Sequence, residues 1–600
     1  MAQWNQEQAQ QKLSPAYESS SLNPEQAETL WPGCGAWYAA IQAEAASGYE
    51  DICLGKHELA QEKALLAESA EAIFAGNEAP EAKAAKAQAL WKAYLLKTAK
   101  ARAFDFAKGM TVIGSENPYT AILAKANPLD DSWMEAYGLP VTQLDRDMMR
   151  FWFSLPKEKL VAMGHTIVDA FLHGFISQSR DRRDRTRVRF FYQLGQEALA
   201  QEVVKAFAEK GLNPVITTPH TVYMLNQCQV DHQFDRFYQM DQSLYEAEWD
   251  AHQEAMHFYE QELKDTCGMV GIDQFGMEAT IIRPCRSAFQ LDAKAREWFA
   301  KLGSKKADLE SQWIKPSEIS FCKVAFPNKL VGDRFEEVFA DFFAMNAVVS
   351  EPYELLQQVL IDGLDTCESV HIKGYRGNDT DLCVQLWPIE DPAKQTKFLN
   401  CGGDLNIPYG EIFTTPKLTG TNGILHVEQI CLKGVFYHDL RLTFENGWVV
   451  KAESADGPGY VQENLLYPQT KIPMGEFAIG TNTSAYAIAQ RYDIGSRLPI
   501  LIYEKMGPHI AIGDPCFARS EDVPIYNMYD RKDMVCRQNE VTMERNIRES
   551  VYFGKHVDIT LPYHQVEYLR GVRADGTTVD FIREGRFVLE NTEGLNEGLN

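Results

Sequence analysis

Apolar positions early in the chain recur with the period of a helix. In "PEAKAAKAQALWKAYLLKTAKARAFDFAKG", residues 80–109, Leu90, Tyr94 and Leu95 form a stripe, Pro80 suits a first helical turn and Gly109 can end it. The Ala-, Glu-, Gln- and Lys-rich texture holds to about residue 150 and predicts a helical extension over 1–150 without a catalytic pattern. From about 185 the pattern changes. "RVRFFYQL" reads as a strand, "GQEALAQEVVKAFAEKG" as an amphipathic helix ending at Gly211, and "NPVITT" as a second strand. "EISFCKVAFP" followed by "DRFEEVFADFFAMNAV" repeats the order. Strand, helix, strand is the unit of a parallel sheet, so 151–370 is predicted as an α/β domain. Beyond about 370, short strands and turns dominate. Asn446-Gly447 in "LRLTFENGWVVKAES" and Asp575-Gly576 in "GVRADGTTVDFI" are hairpin signals, and 371–600 is predicted to be rich in antiparallel strands. The expected fold class is α/β plus mainly antiparallel β, in three parts.

Composition narrows the partners. The 600 residues exceed what one core usually serves, and 45% hydrophobic with 24% charged residues is ordinary for a globular protein. A formal net charge of -25 argues against nucleic acid or an anionic membrane, both of which reward clustered Lys and Arg. The start, "MAQWNQEQAQQKLSPAYESS", has neither a basic nor an apolar leader region, and no apolar run reads as approaching a membrane span, so a cytoplasmic protein is expected. Twelve cysteines lie scattered from Cys34 to Cys536 without a CxxC pair, as reduced, packed thiols would. "RDRRDRTRVR", residues 180–189, reads as a solvated face neutralised by its own aspartates.

Several familiar chemistries are absent: no GxxxxGK[ST], GxSxG or GxGxxG occurs. His57 and Glu58 in "HELAQ" lack a second histidine. His252 and His257 in "HQEAMH" lie about 140° apart around a helix, which spoils a shared face, and Glu254 and Glu260 make that helix merely polar. The C-terminal third differs. "NIPYGEIFTTP" holds Glu411, "KIPMGEFAIGTN" Glu476, "YEKMGPHIAIGDP" His509, and "FGKHVDITLPYH" His556 and Asp558. Both glutamates follow Pro-x-Gly, a turn leading into an apolar strand. On a strand, residues two apart share a face, so His556 and Asp558 point together. Taken singly, each residue is more often structural than chemical. Together, three carboxylates and two imidazoles suit two borderline divalent cations.

These four segments resemble the M29 metallopeptidases, the thermophilic aminopeptidase family, in order and rough spacing over about residues 185–600. "GYRGNDTDLCVQL", 374–386, resembles the Thr-Asp-Leu strand that opens the family's metal-binding domain. The resemblance implies that Glu411, Glu476, His509, His556 and Asp558 are metal ligands in 371–600, and that two divalent ions, zinc or cobalt, are bound per chain. It further implies a homodimer acting on peptides. One departure stands out. The family has a tyrosine a few residues after the third segment's histidine, where this chain has Cys516 and Phe517; Tyr526 or Tyr529 is a substitute from a nearby loop, Cys516 is a softer one, and a vacant role is the third possibility.

The activity implied is a metal-dependent aminopeptidase that attacks the peptide bond with water activated between two cations, which also hold the intermediate's negative oxygen. Asp381, in the Thr-Asp-Leu strand, is a candidate for contact with the free α-amine, with a buried structural aspartate as the alternative. Two other functions compete: a catalytically weak peptide-binding relative, and a two-metal hydrolase of a non-peptide substrate.

Overall fold

The computed structural model describes residues 11–12, 16–217, 219, 227–277, 285–402, 406–432, 435–548 and 551–600. The first ten residues, on which the leader reading partly rests, lie outside these. The chain forms two compact units, one made of Met1–Val161, Arg185–Thr266 and Ile282–Ile314, the other of Ala162–Asp184, Cys267–Ile281 and Lys315–Asn600.

The first unit is built around α1 (Pro80–Gly109), which opens with its proline in the first turn. Trp91, Tyr94 and Leu95 enter a core with Trp37, Ile41, Leu66, Leu244 and Tyr245, and Leu90 packs at its margin. β1 (Arg187–Tyr192) pairs in parallel with β2 (Asn213–Ile216), and the intervening α2 (Glu197–Glu209) buries Leu199, Val203, Ala206 and Phe207 along one face. This is the predicted strand, helix, strand unit. In the helix Gln242–Phe258, His252 is buried 3.5 Å from Glu310 while His257 is exposed, so the two share no ligand face.

In the second unit β3 (Thr266–Phe275) and β4 (Ser320–Pro327) run parallel, and Asn406–Ile407 extends this pairing beside β4. α3 (Phe335–Asn346) lays Phe339 and Phe342 against Phe326 and Phe275. An eight-stranded antiparallel sheet contains both predicted hairpins. At one of them Asn446 and Gly447 take positive φ between Val435–Glu445 and Trp448–Glu453, as a two-residue turn requires.

A second, five-stranded sheet carries the chemistry. Its strands are β5 (Leu399–Cys401), β6 (Glu411–Thr414), β7 (Met474–Gly480), β8 (Pro508–Gly513) and β9 (His556–Thr560), all antiparallel in the order β9-β8-β7-β6-β5. One face is mainly apolar: Ile412, Phe477, Ile479, Ile510, Ile512 and Ile559 are fully buried, with Asn400 and Thr414 as buried polar residues on the same side. Each such apolar side chain stabilises the fold by roughly 1.5–3 kcal/mol. That face anchors the sheet and frees the other for polar groups.

Two sequence expectations need correction. The helix Lys157–Ser177 is long and apolar enough to cross a membrane by length and composition, contrary to the reading that no run approaches a span; half of its most apolar window is buried, as in a core helix. The arginine-rich segment is not a uniform solvated face either. Arg183 is exposed, but Arg185 is buried with its guanidinium on the carbonyls of Thr266 and Trp313, and Arg180 is half-buried. Both donate to backbone carbonyls, Arg180 to Ile319 and Arg185 to Thr266 and Trp313.

Candidate metal centre

Strand register brings the proposed ligands together. Glu411 stands opposite Gly480, Ala478 opposite His509, Glu476 opposite Ala511, Ala511 opposite Asp558, and Gly513 opposite His556. Directly opposed residues share a face, as do residues two apart on one strand. Glu411, Glu476, His509, His556 and Asp558 therefore all project from the face opposite the apolar one. The positions among them are Ala478, Gly480, Ala511 and Gly513, so no bulky side chain covers the cluster. Gly480 has a second role: a Cβ there would meet the Glu504 carbonyl at 2.3 Å, so its absence lets the Glu504–Lys505 backbone lie against β7.

Neighbouring contacts fix each side chain. Gln357 is fully buried and donates through Nε2 to Asn400 Oδ1 at 2.6 Å, to the Cys401 carbonyl at 3.1 Å and to the Glu411 carbonyl at 3.2 Å, holding the start of β6. His556 Nδ1 donates to the Asp514 carbonyl at 2.6 Å, which turns Nε2 toward the cluster. Glu476 lies at the centre. Its Oε1 is 3.2 Å from His509 Nε2, and its Oε2 is 3.5 Å from His556 Nε2 and accepts from the Cys516 thiol. His509 Nε2 is 3.6 Å from Glu411 Oε2, and His556 Nε2 is 3.3 Å from Asp558 Oδ1. Lys505, fully buried, sits 2.6 Å from Glu411 Oε1 and 3.0 Å from Glu504 Oε1, leaving Glu411 Oε2 directed at His509.

Electrostatics follow from burying many charges together. Burial opposes ionisation of Glu476, but hydrogen bonds and charge from His509 and His556 outweigh it and hold the carboxyl well below the usual range. Burial disfavours protonation of His509, yet Glu476, Glu411 and Asp558 push its pKa up to about 9. His556 is raised as well, against burial, by Asp558 and Cys516. Burial raises Glu504 to about 7, with Glu411 and Asp558 adding and Lys505 opposing. Lys505 stays charged because Glu411 and Glu504 overcome its burial.

Donor atoms from Glu411, Glu476 and His509 lie within 4.8 Å of one another, and so do those from Glu476, Cys516 and His556. Glu476 belongs to both groups. This excess of buried oxygen donors beside imidazoles fits divalent cations, with one oxygen of Glu476 offered to each group. The cluster opens on a cavity of about 490 Å³, a size suited to a small ligand. Glu504, Phe413, Phe517 and Arg180 also line it.

The remaining candidates lie elsewhere. Asp381 is on the eight-stranded sheet, exposed, 2.6 Å from His371 Nε2 and 2.7 Å from Lys373 Nζ, and does not line the cavity. It is thus not a buried structural aspartate, and its strand belongs to a different sheet from the ligand cluster. Tyr526 is 42% exposed and outside the cavity wall, and Tyr529 donates to Glu354 at 2.6 Å. Cys516 instead is the residue brought against Glu476. Sequence reading missed Glu504, Lys505 and Arg180. A Glu-Lys pair just before "MGPHIAIG" was the available signal for the first two; nothing local marks Arg180.

Residues 357–587 match the family model described as thermophilic metalloprotease (M29). No curated protein matches the chain. Among solved structures, wild-type AmpT from Thermus thermophilus aligns at 14% identity, covering 72% of this chain and 100% of that one, with a TM-score of 0.45.

Proposed function

We propose an aminopeptidase activity supported by two divalent cations for this chain, which belongs to the M29 metallopeptidase family through residues 357–587. The observation that carries the reading is Glu476, whose two oxygens face His509 on one side and His556 on the other. Glu411, Glu476 and His509 would hold one cation, and Glu476, His556 and Asp558 the other. Bound there, zinc or cobalt supplies Lewis acidity toward the peptide carbonyl and a nucleophilic water near neutral pH.

The chain's own groups do the rest. Glu504, in the cavity wall and poised near neutrality, is the carboxyl suited to take a proton and return it to the departing amine. Phe413 and Phe517 stack at 5.7 Å and supply apolar wall for a side chain. Arg180 lines the same cavity, and its guanidinium has no carboxylate partner among the described residues, with burial pushing it down to about 10. A guanidinium that donates to the Ile319 carbonyl at 2.8 Å, and has no carboxylate beside it among the described residues, suits the free carboxylate of a short peptide. Peptides of a few residues are therefore the substrates favoured, and the expected homodimer and cytoplasmic location belong to the same reading.

The test is hydrolysis of leucine p-nitroanilide and short leucyl peptides, with cation content measured in parallel. Chelator should abolish release, zinc or cobalt should restore it, and Glu411→Gln or His509→Ala should remove it while the protein stays folded. Two bound cations without amino-acid release would favour a peptide-binding relative or another two-metal hydrolase.

A further inference from the structure

The donors of the second group are not all oxygen and nitrogen. The Cys516 thiol lies against Glu476 Oε2, and its sulfur, that oxygen and a ring nitrogen of His556 are mutually within 4.8 Å. Cys516 is an exposed residue of the cavity wall, on the segment that follows β8.

That segment is tied to the start of β9. The Asp514 carboxylate accepts from the backbone N–H groups of Phe553 at 2.6 Å and Gly554 at 2.8 Å, and its backbone N–H donates to the Lys555 carbonyl at 2.7 Å. The Asp514 carbonyl in turn receives His556 Nδ1. One residue thus fixes both the loop presenting the sulfur and the ring presenting Nε2. Cys401, another thiol of the cavity wall, joins neither group of converging donors among the described residues.

We propose that Cys516 is a thiolate ligand of the second cation, making that centre a mixed sulfur, nitrogen and oxygen site that prefers softer divalent metals such as zinc(II) and cadmium(II). The inference rests on the two-cation reading above. As the sulfur–metal bond forms, the thiol proton passes to solvent, and the sulfur joins Glu476 Oε2, His556 Nε2 and Asp558 as donors. Thiolate favours zinc and other soft ions, whereas manganese is suited by oxygen.

Cobalt(II) titration of chelator-stripped protein tests this without reference to turnover. Wild type should take up two equivalents and develop a thiolate-to-cobalt charge-transfer band in the near ultraviolet. Cys516→Ser should lose the band, and Cys401→Ser should keep it. By chelator competition, Cys516→Ser should bind cadmium(II) at one of its two sites at least roughly ten- to a hundredfold more weakly, with manganese(II) affinity changed little. Cys516→Asp, which keeps an anionic donor, should shift preference toward manganese. Two equivalents of cobalt without the band, or a band surviving in Cys516→Ser, would overturn the assignment and leave the aminopeptidase reading standing. Failure of stripped wild type to bind cobalt would overturn both.

Discussion

In the metal-free protein His509 carries a proton, held by Glu476 at 3.2 Å with Glu411 and Asp558 adding, and titrates at about 9 against an ordinary 6.5. A group whose pKa rises on folding stabilises the fold fully below its unfolded value, and that contribution is lost as pH climbs through the folded value. The window here runs from 6.5 to about 9. A gap of that size is worth on the order of 3 kcal/mol. A cation needs the same Nε2 lone pair, so the proton competes with it. At pH 7 roughly one molecule in a hundred has His509 neutral, and apparent cation affinity should rise about tenfold per pH unit up to 9 from this residue alone. The assay is urea unfolding of chelator-treated wild type and His509→Gln at pH 6.5 and 9, with cation titration across the same range. Wild type should lose most of its advantage over the variant at the upper pH while binding cations more tightly there. A stability difference that ignores pH, or an affinity flat from 7 to 9, would refute the protonated His509.

Lys505→Met leaves Glu411 and Glu504 buried without their cation, and should cost roughly 3–5 kcal/mol in urea unfolding, partly recovered by adding Glu504→Gln. Glu504→Gln alone should lower kcat by about 10²–10⁴ with little change in bound cations; an unchanged kcat would take Glu504 out of proton transfer. Arg180→Gln should raise KM for di- and tripeptides with a free carboxylate by about tenfold, while their C-terminal amides are cleaved as before. Equal effects on acids and amides would deny Arg180 that contact.

Local rules made much of the architecture readable. Pro80 and Gly109 bound α1 because a proline in the first turn and a glycine at the end are local preferences. Asn446-Gly447 turns a hairpin because both residues accept positive φ. The motifs "GEFAIG" and "HIAIG" were visible as strands carrying Glu476 and His509, but the purpose of their alternate small residues was not. Only the pairing of Glu476 with Ala511 and of Glu411 with Gly480 shows that alanine and glycine keep the ligand face clear. For the same reason Arg180 was out of reach, Lys505 showed only as half of a Glu-Lys pair, and Cys516 stood only as one of several substitutes for a tyrosine. Their roles depend on neighbours distant in sequence: Lys505 on Glu411, Cys516 on Glu476, and Arg180 on the wall of a cavity formed by several separate segments. The exposed placement of Asp381 likewise follows from which sheet its strand joins.

The donors are drawn from four strands, the first beginning at Glu411 and the last beginning at His556. No shorter stretch of chain gathers them, and β9, made last, supplies two. Contacts between residues so far apart in sequence close slowly, after local helices and hairpins have formed. During synthesis a ribosome-bound chain ending before His556 has Glu411, Glu476 and His509 but no second imidazole at the site. On the two-cation reading, filling of the second position would be a late event and would mark a completed sheet. A chain stalled or clipped before its final strand would keep its helices and hairpins while remaining inert.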